Sequence, residues 1–155
     1  MRKHFTIIYF LFVSLLISCS SSLCDKNLDN DQNAHKETKE TQFQVNSLIK
    51  KSVNPYYENI QQVEDLKIRL KKVLTYTESK NREPINNKIW EFINNEENSI
   101  HNFLKVWKEQ GNLSSDLVEV FNKKINMIFE KMLDFIVKND KESEIALLKL
   151  IESIQ

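Results

Sequence analysis

The chain has 155 residues, the length of one domain, and its 22 basic and 22 acidic side chains cancel to no formal net charge. That balance excludes a uniformly basic nucleic-acid binder and an acidic solvating chain. One glycine (Gly111) and two prolines (Pro55, Pro84) exclude phosphate-cradling loops, dinucleotide fingerprints and nucleophile elbows, and without Asn-Gly there is little to build tight hairpins. The expected fold class is all-α, an antiparallel bundle of four to five helices. Nineteen Lys against three Arg, with 17 Asn, 16 Ile and only two Ala, is the bias of a low-GC genome.

Arg2, Lys3 and His4 precede a mostly apolar run from Phe5 to Ile17, the charged and hydrophobic regions of a secretory signal. Thirteen residues at 1.5 Å each fall short of a hydrocarbon core of about 30 Å, so cleavage is expected over a permanent span. The run closes on Leu16-Ile17-Ser18-Cys19, the lipobox order of apolar residues, a small residue and cysteine. Residues 1–18 therefore read as a lipoprotein signal peptide cut between Ser18 and Cys19, with the Cys19 thiol taking the lipid. Multiple acyl chains make such an anchor stable where one alone is marginal. Cys24 is a poorer lipidation site because bulky Leu23 precedes it. With Cys19 acylated it has no disulfide partner in the chain, so it reads as an idle or an intermolecular thiol.

Residues 19–41 read as the lipidated cysteine and a disordered polar tether, since SSSLCDKNLDNDQNAHKETKET offers no apolar face. Such a stretch spans about 25 Å. Losing the signal removes Arg2 and Lys3 but no acid, leaving the mature chain slightly acidic, so lipid rather than charge is the expected anchor to the membrane.

Residues 42–155 read as the helical bundle domain. Val45, Leu48, Ile49 and Val53 share a face up to Asn54-Pro55, which is expected to open a second helix with Asn54 as N-cap. That helix carries Tyr56, Ile60, Val63, Leu66, Leu70, Val73 and Leu74 at three- and four-residue steps and stops near Glu78–Asn81. Pro84 opens a third with Ile85, Ile89, Phe92 and Ile93 inward. After the polar Asn94–Asn98 the stripe resumes at Ile100, Phe103, Leu104 and Trp107, so residues 84–110 form one helix, or two with Ser99 as cap. Gly111 is a left-handed stop. Ser114-Ser115-Asp116 caps the next helix, with Leu117, Phe121, Ile125, Ile128, Met132, Phe135 and Ile136 inward, until Lys138-Asn139-Asp140-Lys141. Asn139 or Asp140 then caps a last helix bearing Ile145, Leu147, Leu148, Ile151 and Ile154.

Catalytic chemistry finds no assembled set, and no enzyme activity, cofactor or metal is expected. His4 leaves with the signal, His35 lies in the tether and His101 stands alone. No pair has zinc or di-iron spacing, and Glu96-Glu97 point about 100° apart on a helix. Lys67, Arg69, Lys71 and Lys72 form the best basic cluster and the candidate polyanion contact, although Glu64 and Asp65 also fit ordinary helix pairing with them. Tyr57, Trp90 and Trp107 are the candidate partner surface, being residue types that dominate interface hot spots, or they widen the core face.

The opening MRKHFTIIYFLFVSLLISC, the serine-containing lipobox, the Asn/Lys/Ile bias, the polar tether and the nearly glycine-free helical part together resemble the short plasmid-encoded surface lipoproteins of Borrelia spirochaetes, of which OrfD-like lipoproteins are one subgroup. The resemblance covers the whole chain in style and the N-terminal third in motif. It implies an outer-membrane surface antigen of a spirochaete, carrying palmitate and engaged in host interaction, with complement components, matrix proteins or glycosaminoglycans as partners and no nucleic acid. The competing expectation is a periplasm-facing structural or assembly lipoprotein that pairs with another bacterial protein or with itself.

Overall fold

The computed structural model describes residues 21–79 and 84–154; the expected signal segment with Ser18 and Cys19 lies outside them. Among the described residues there are six α-helices and no strand: α1 (Ser21–Lys51), α2 (Ile60–Ser79), α3 (Pro84–Asn94), α4 (Ser99–Gln110), α5 (Ser115–Lys138) and α6 (Lys141–Ile154), with a 3-10 turn at Tyr56–Asn59 before α2. The fold is an all-α helical bundle, and five of its helices follow Pro55. The chain divides into two compact units, Met1–Ala34 and His35–Gln155. In the first, the described residues are helical; the core lies in the second.

Helix α1 departs from the expected tether, which was to remain disordered through Thr41. The inward stripe of Val45, Leu48 and Ile49 continues backward through Thr41 and Thr38, both buried, at the same helical steps. Threonine is too polar to register in a hydrophobic stripe but small enough to fill one, and Thr41 satisfies its hydroxyl by donating to the Glu37 carbonyl (2.8 Å). From the neighbouring helix, Arg69 donates to the Thr41 hydroxyl (3.0 Å) and to the carboxylates of Glu37 (2.8 Å) and Glu40 (2.9 Å). Acidic residues that read as solvated are thus a seam between α1 and α2.

The boundaries follow local chemistry. Pro55 does not sit in the first turn of a long helix; it precedes the 3-10 turn, and α2 starts at Ile60. Residues 84–110 form two helices, split by the Asn95–Asn98 turn, with Asn98 rather than Ser99 in the N-cap position. Asn98 donates from its side chain to the Phe92 carbonyl (2.6 Å) and accepts from the Asn102 amide at its own carbonyl (2.7 Å). Gly111 ends α4 at φ +80°, its amide closing on the Trp107 carbonyl, a backbone setting that strains any residue with a Cβ. Ser114 caps α5 by accepting from the Leu117 amide, and Asn139 ends that helix in the left-handed region at φ 48°. Asp140 caps α6, taking the Ser143 amide (2.8 Å) and hydroxyl (2.7 Å). These bonds hold the Asp140 carboxyl below its usual value, the backbone amide contributing most.

Helix α2 packs most extensively on α3, and α5 on α6. The core joins Val45, Ile49, Val63, Leu66, Leu70, Ile89, Phe103, Ile125, Phe129, Met132 and Leu147 in one cluster. Three residues expected inward are instead substantially exposed: Val53, Ile60 and Ile145. The first two flank the 3-10 turn, where the helical period that placed them does not hold. Side-chain amides fix neighbouring helices: Gln42 and Asn46 both donate to Asn126 of α5 (3.0 and 2.8 Å), and Asn94 donates to the Leu70 carbonyl of α2 (3.2 Å). The two connectors on either side of α2–α4 are stapled together. The Tyr56 amide donates to the Gly111 carbonyl (2.6 Å), the Leu113 amide to the Ser52 carbonyl (2.8 Å), and the Trp107 indole to the Asn54 carbonyl (3.0 Å).

Candidate functional site

Helices α2 and α4 are not a closely packed pair, and between them lies an open groove of about 560 Å³, within the size range of ligand sites. Its walls bring Lys67 and Lys71 of α2 together with Lys105 and Lys108 of α4; His101, Leu104, Tyr56, Asn94 and Glu96 complete the lining. Lys67 and Lys71 share a face because they are four residues apart, and Lys105 and Lys108 because they are three apart. Tyr56 is held by an edge-on contact with the buried Trp107 ring at 5.3 Å, so the groove rests on the core. Trp107 in turn stacks on Phe103 at 5.8 Å.

The charges are unevenly answered. Lys67 pairs with Glu64 at 2.9 Å, and this hydrogen bond raises its pKa against the opposing effect of burial. Among the described residues, Lys71, Lys105 and Lys108 have no ion-pair partner. Among the described residues, Glu96 is the lone carboxylate in the lining. Three uncompensated cations and one paired one converge in a chain whose overall charge is balanced, which makes the groove a local concentration of positive potential. His101 sits among them half-buried, its Nε2 shielded from solvent and without a hydrogen-bond partner. Burial pushes the imidazole below its ordinary value, the Lys67 charge pushes the same way, and Glu96 opposes.

The structure divides the basic cluster expected on α2. Lys67 and Lys71 line the groove. Arg69 does not join them: it points to α1, its guanidinium already bound by Glu37, Glu40 and Thr41, so its role is to tie two helices. Lys72 is exposed and outside the groove lining. The expected partner surface also shrinks. Trp90 and Trp107 are buried in the core cluster and present no surface, the indole N–H of Trp107 being spent on Asn54; Tyr57 stays 71% exposed. Lys105 and Lys108 were missed because nothing near them in the sequence marks them. The available signal was their shared helix face, which gains meaning only when α4 lies opposite α2.

Among the described residues, no group of three His, Cys, Asp or Glu side chains could hold a metal ion, and no helix is long and apolar enough to cross a membrane. No protein-family model, curated protein or solved structure matches the chain.

Proposed function

We propose that this is a non-enzymatic bacterial outer-surface lipoprotein, anchored by lipid on Cys19, whose helical domain binds a host macromolecule through the α2–α4 groove. The observation that carries the reading is the convergence of Lys67, Lys71, Lys105 and Lys108 on one open groove. Among complement, matrix and glycosaminoglycan partners, a glycosaminoglycan fits this lining best. Lysines answer its sulfates as point charges, and the side-chain oxygens of Asn94, Tyr56 and Glu96 can accept hydrogen bonds from sugar hydroxyls. The signal segment and lipobox support the anchor.

The test is calorimetric titration of the full chain in detergent with a heparin octasaccharide. Replacing all four lysines by Gln is expected to weaken binding about thirtyfold, at about 0.5 kcal/mol per exposed charge contact, with thermal stability unchanged. Equal binding by the variant sinks the groove assignment. Palmitate labelling of cells expressing Cys19→Ala tests the anchor, which fails if label is undiminished.

One observation favours the alternative of a periplasm-facing assembly lipoprotein. Phe43 on α1 and Val120 and Met127 on α5 are exposed on the two helices that Gln42, Asn46 and Asn126 join, the kind of apolar residues a helical partner covers. Protease treatment of intact cells separates the readings: a surface protein is digested, a periplasmic one survives.

A further inference from the structure

His101 lines the groove and, unlike the lysines around it, holds a ring nitrogen that is out of water and bonded to nothing. A buried polar nitrogen with no partner carries an unrecovered desolvation cost. In the free protein the imidazole has little recourse. Protonation would place a fifth cation beside Lys67 and Lys71 of α2 and Lys105 and Lys108 of its own helix, with Glu96 in the α3–α4 turn, among the described residues, the one carboxylate in the lining and Tyr56 on the 3-10 turn. An anionic group seated among the lysines reverses that balance. It cancels the Lys67 repulsion that adds to burial in holding the proton off the ring.

We propose that His101 is the proton-coupled group of the groove: it takes up a proton from solvent when a sulfate of the bound polysaccharide seats among the four lysines. The proposal rests on the groove being the ligand site. Its consequence is a ligand that binds more tightly as pH falls through the range where histidine titrates. The sign follows from linkage, because a complex that holds more protons than its separated parts gains affinity on acidification. One unit of pKa rise on binding corresponds to a tenfold gain.

The experiment uses the full chain in detergent and the heparin octasaccharide at pH 7.5 and 5.5, with His101→Gln and, as control, His35→Gln. The expected result for the wild-type chain and the His35→Gln control is binding about three- to tenfold tighter at pH 5.5 than at pH 7.5, while His101→Gln, whatever its affinity at pH 7.5, gains nothing on acidification. In the wild type, the His101 imidazole proton resonance is expected to titrate at higher pH with the octasaccharide bound than without it. That measurement needs no variant and decides the matter if His101→Gln fails to fold. Binding with a flat pH profile, an unmoved His101 resonance, or pH dependence that persists in His101→Gln overturns the proton coupling and leaves the groove assignment standing. Absence of wild-type binding at both pH values overturns the two together.

Discussion

The two flanks of α2 put the same kind of side chain to opposite uses. Toward α1, Arg69 is four-fifths buried and meets two carboxylates and a hydroxyl. Toward α4, Lys67 and Lys71 stand at a groove edge with Lys105 and Lys108 facing them and, among the described residues, only Lys67 has an acid partner. A planar guanidinium that binds several acceptors at once suits the closed seam, and flexible ammonium groups that retain their water suit the open groove. The difference teaches that a basic run on a helix is two surfaces, because a period of 3.6 residues sends Arg69 away from Lys67 and Lys71. A structural cation is recognised by the acids that answer it, and a binding cation by their absence.

The largest effect should come from the residue beneath the groove. Trp107→Ala is expected to cost about 3–5 kcal/mol in chemical denaturation, since it empties a fully buried site, removes the edge-on contact with Tyr56 and the stacking on Phe103, and abolishes the bond to Asn54. If the variant keeps its stability, the groove does not rest on the core. Next comes the direct contrast between the flanks. Arg69→Met is expected to lose about 1–2 kcal/mol, scaled down for its half-exposed acid partners, and to leave octasaccharide binding intact. Lys71→Met should change stability by less than about 0.5 kcal/mol and weaken binding. The same melting and titration measurements on both variants break the comparison if the losses fall the other way round. The smallest effect concerns pH. A histidine whose folded pKa lies below its unfolded value near 6.5 holds fewer protons folded than unfolded, so stability falls as pH drops below about 6.5. Melting of the ligand-free chain should show this modest loss, and His101→Gln should remove its share of it.

What the sequence revealed depended on how local the signal was. Gly111 as a stop, Pro84 as a start, and the Ser114 and Asp140 caps are each decided within a turn of the residue concerned, and they were legible. So were the inward stripes of α2, α4 and α5. The true start of α1 was hidden because its stripe passes through Thr38 and Thr41, and because Glu37 and Glu40 look solvated until Arg69 arrives from 29 or more residues away. Only half of the site was legible: Lys67 and Lys71 are neighbours on one helix turn, whereas their pairing with Lys105 and Lys108 is a product of packing. Trp90 and Trp107 could be read as surface or as core, and burial decides for the core.

The staple between the connectors has a kinetic consequence. The Tyr56 and Leu113 amides lie outside the α-helices, where exchange with solvent deuterium is ordinarily fast, yet their acceptors, Gly111 and Ser52, are more than fifty residues away in the chain. Neither bond opens by fraying a helix end; both open only when the segment from α2 to α4 comes apart as a unit. These two connector amides are therefore expected to exchange with the slow class of the bundle, so that their protection would report whether the groove holds together between its walls.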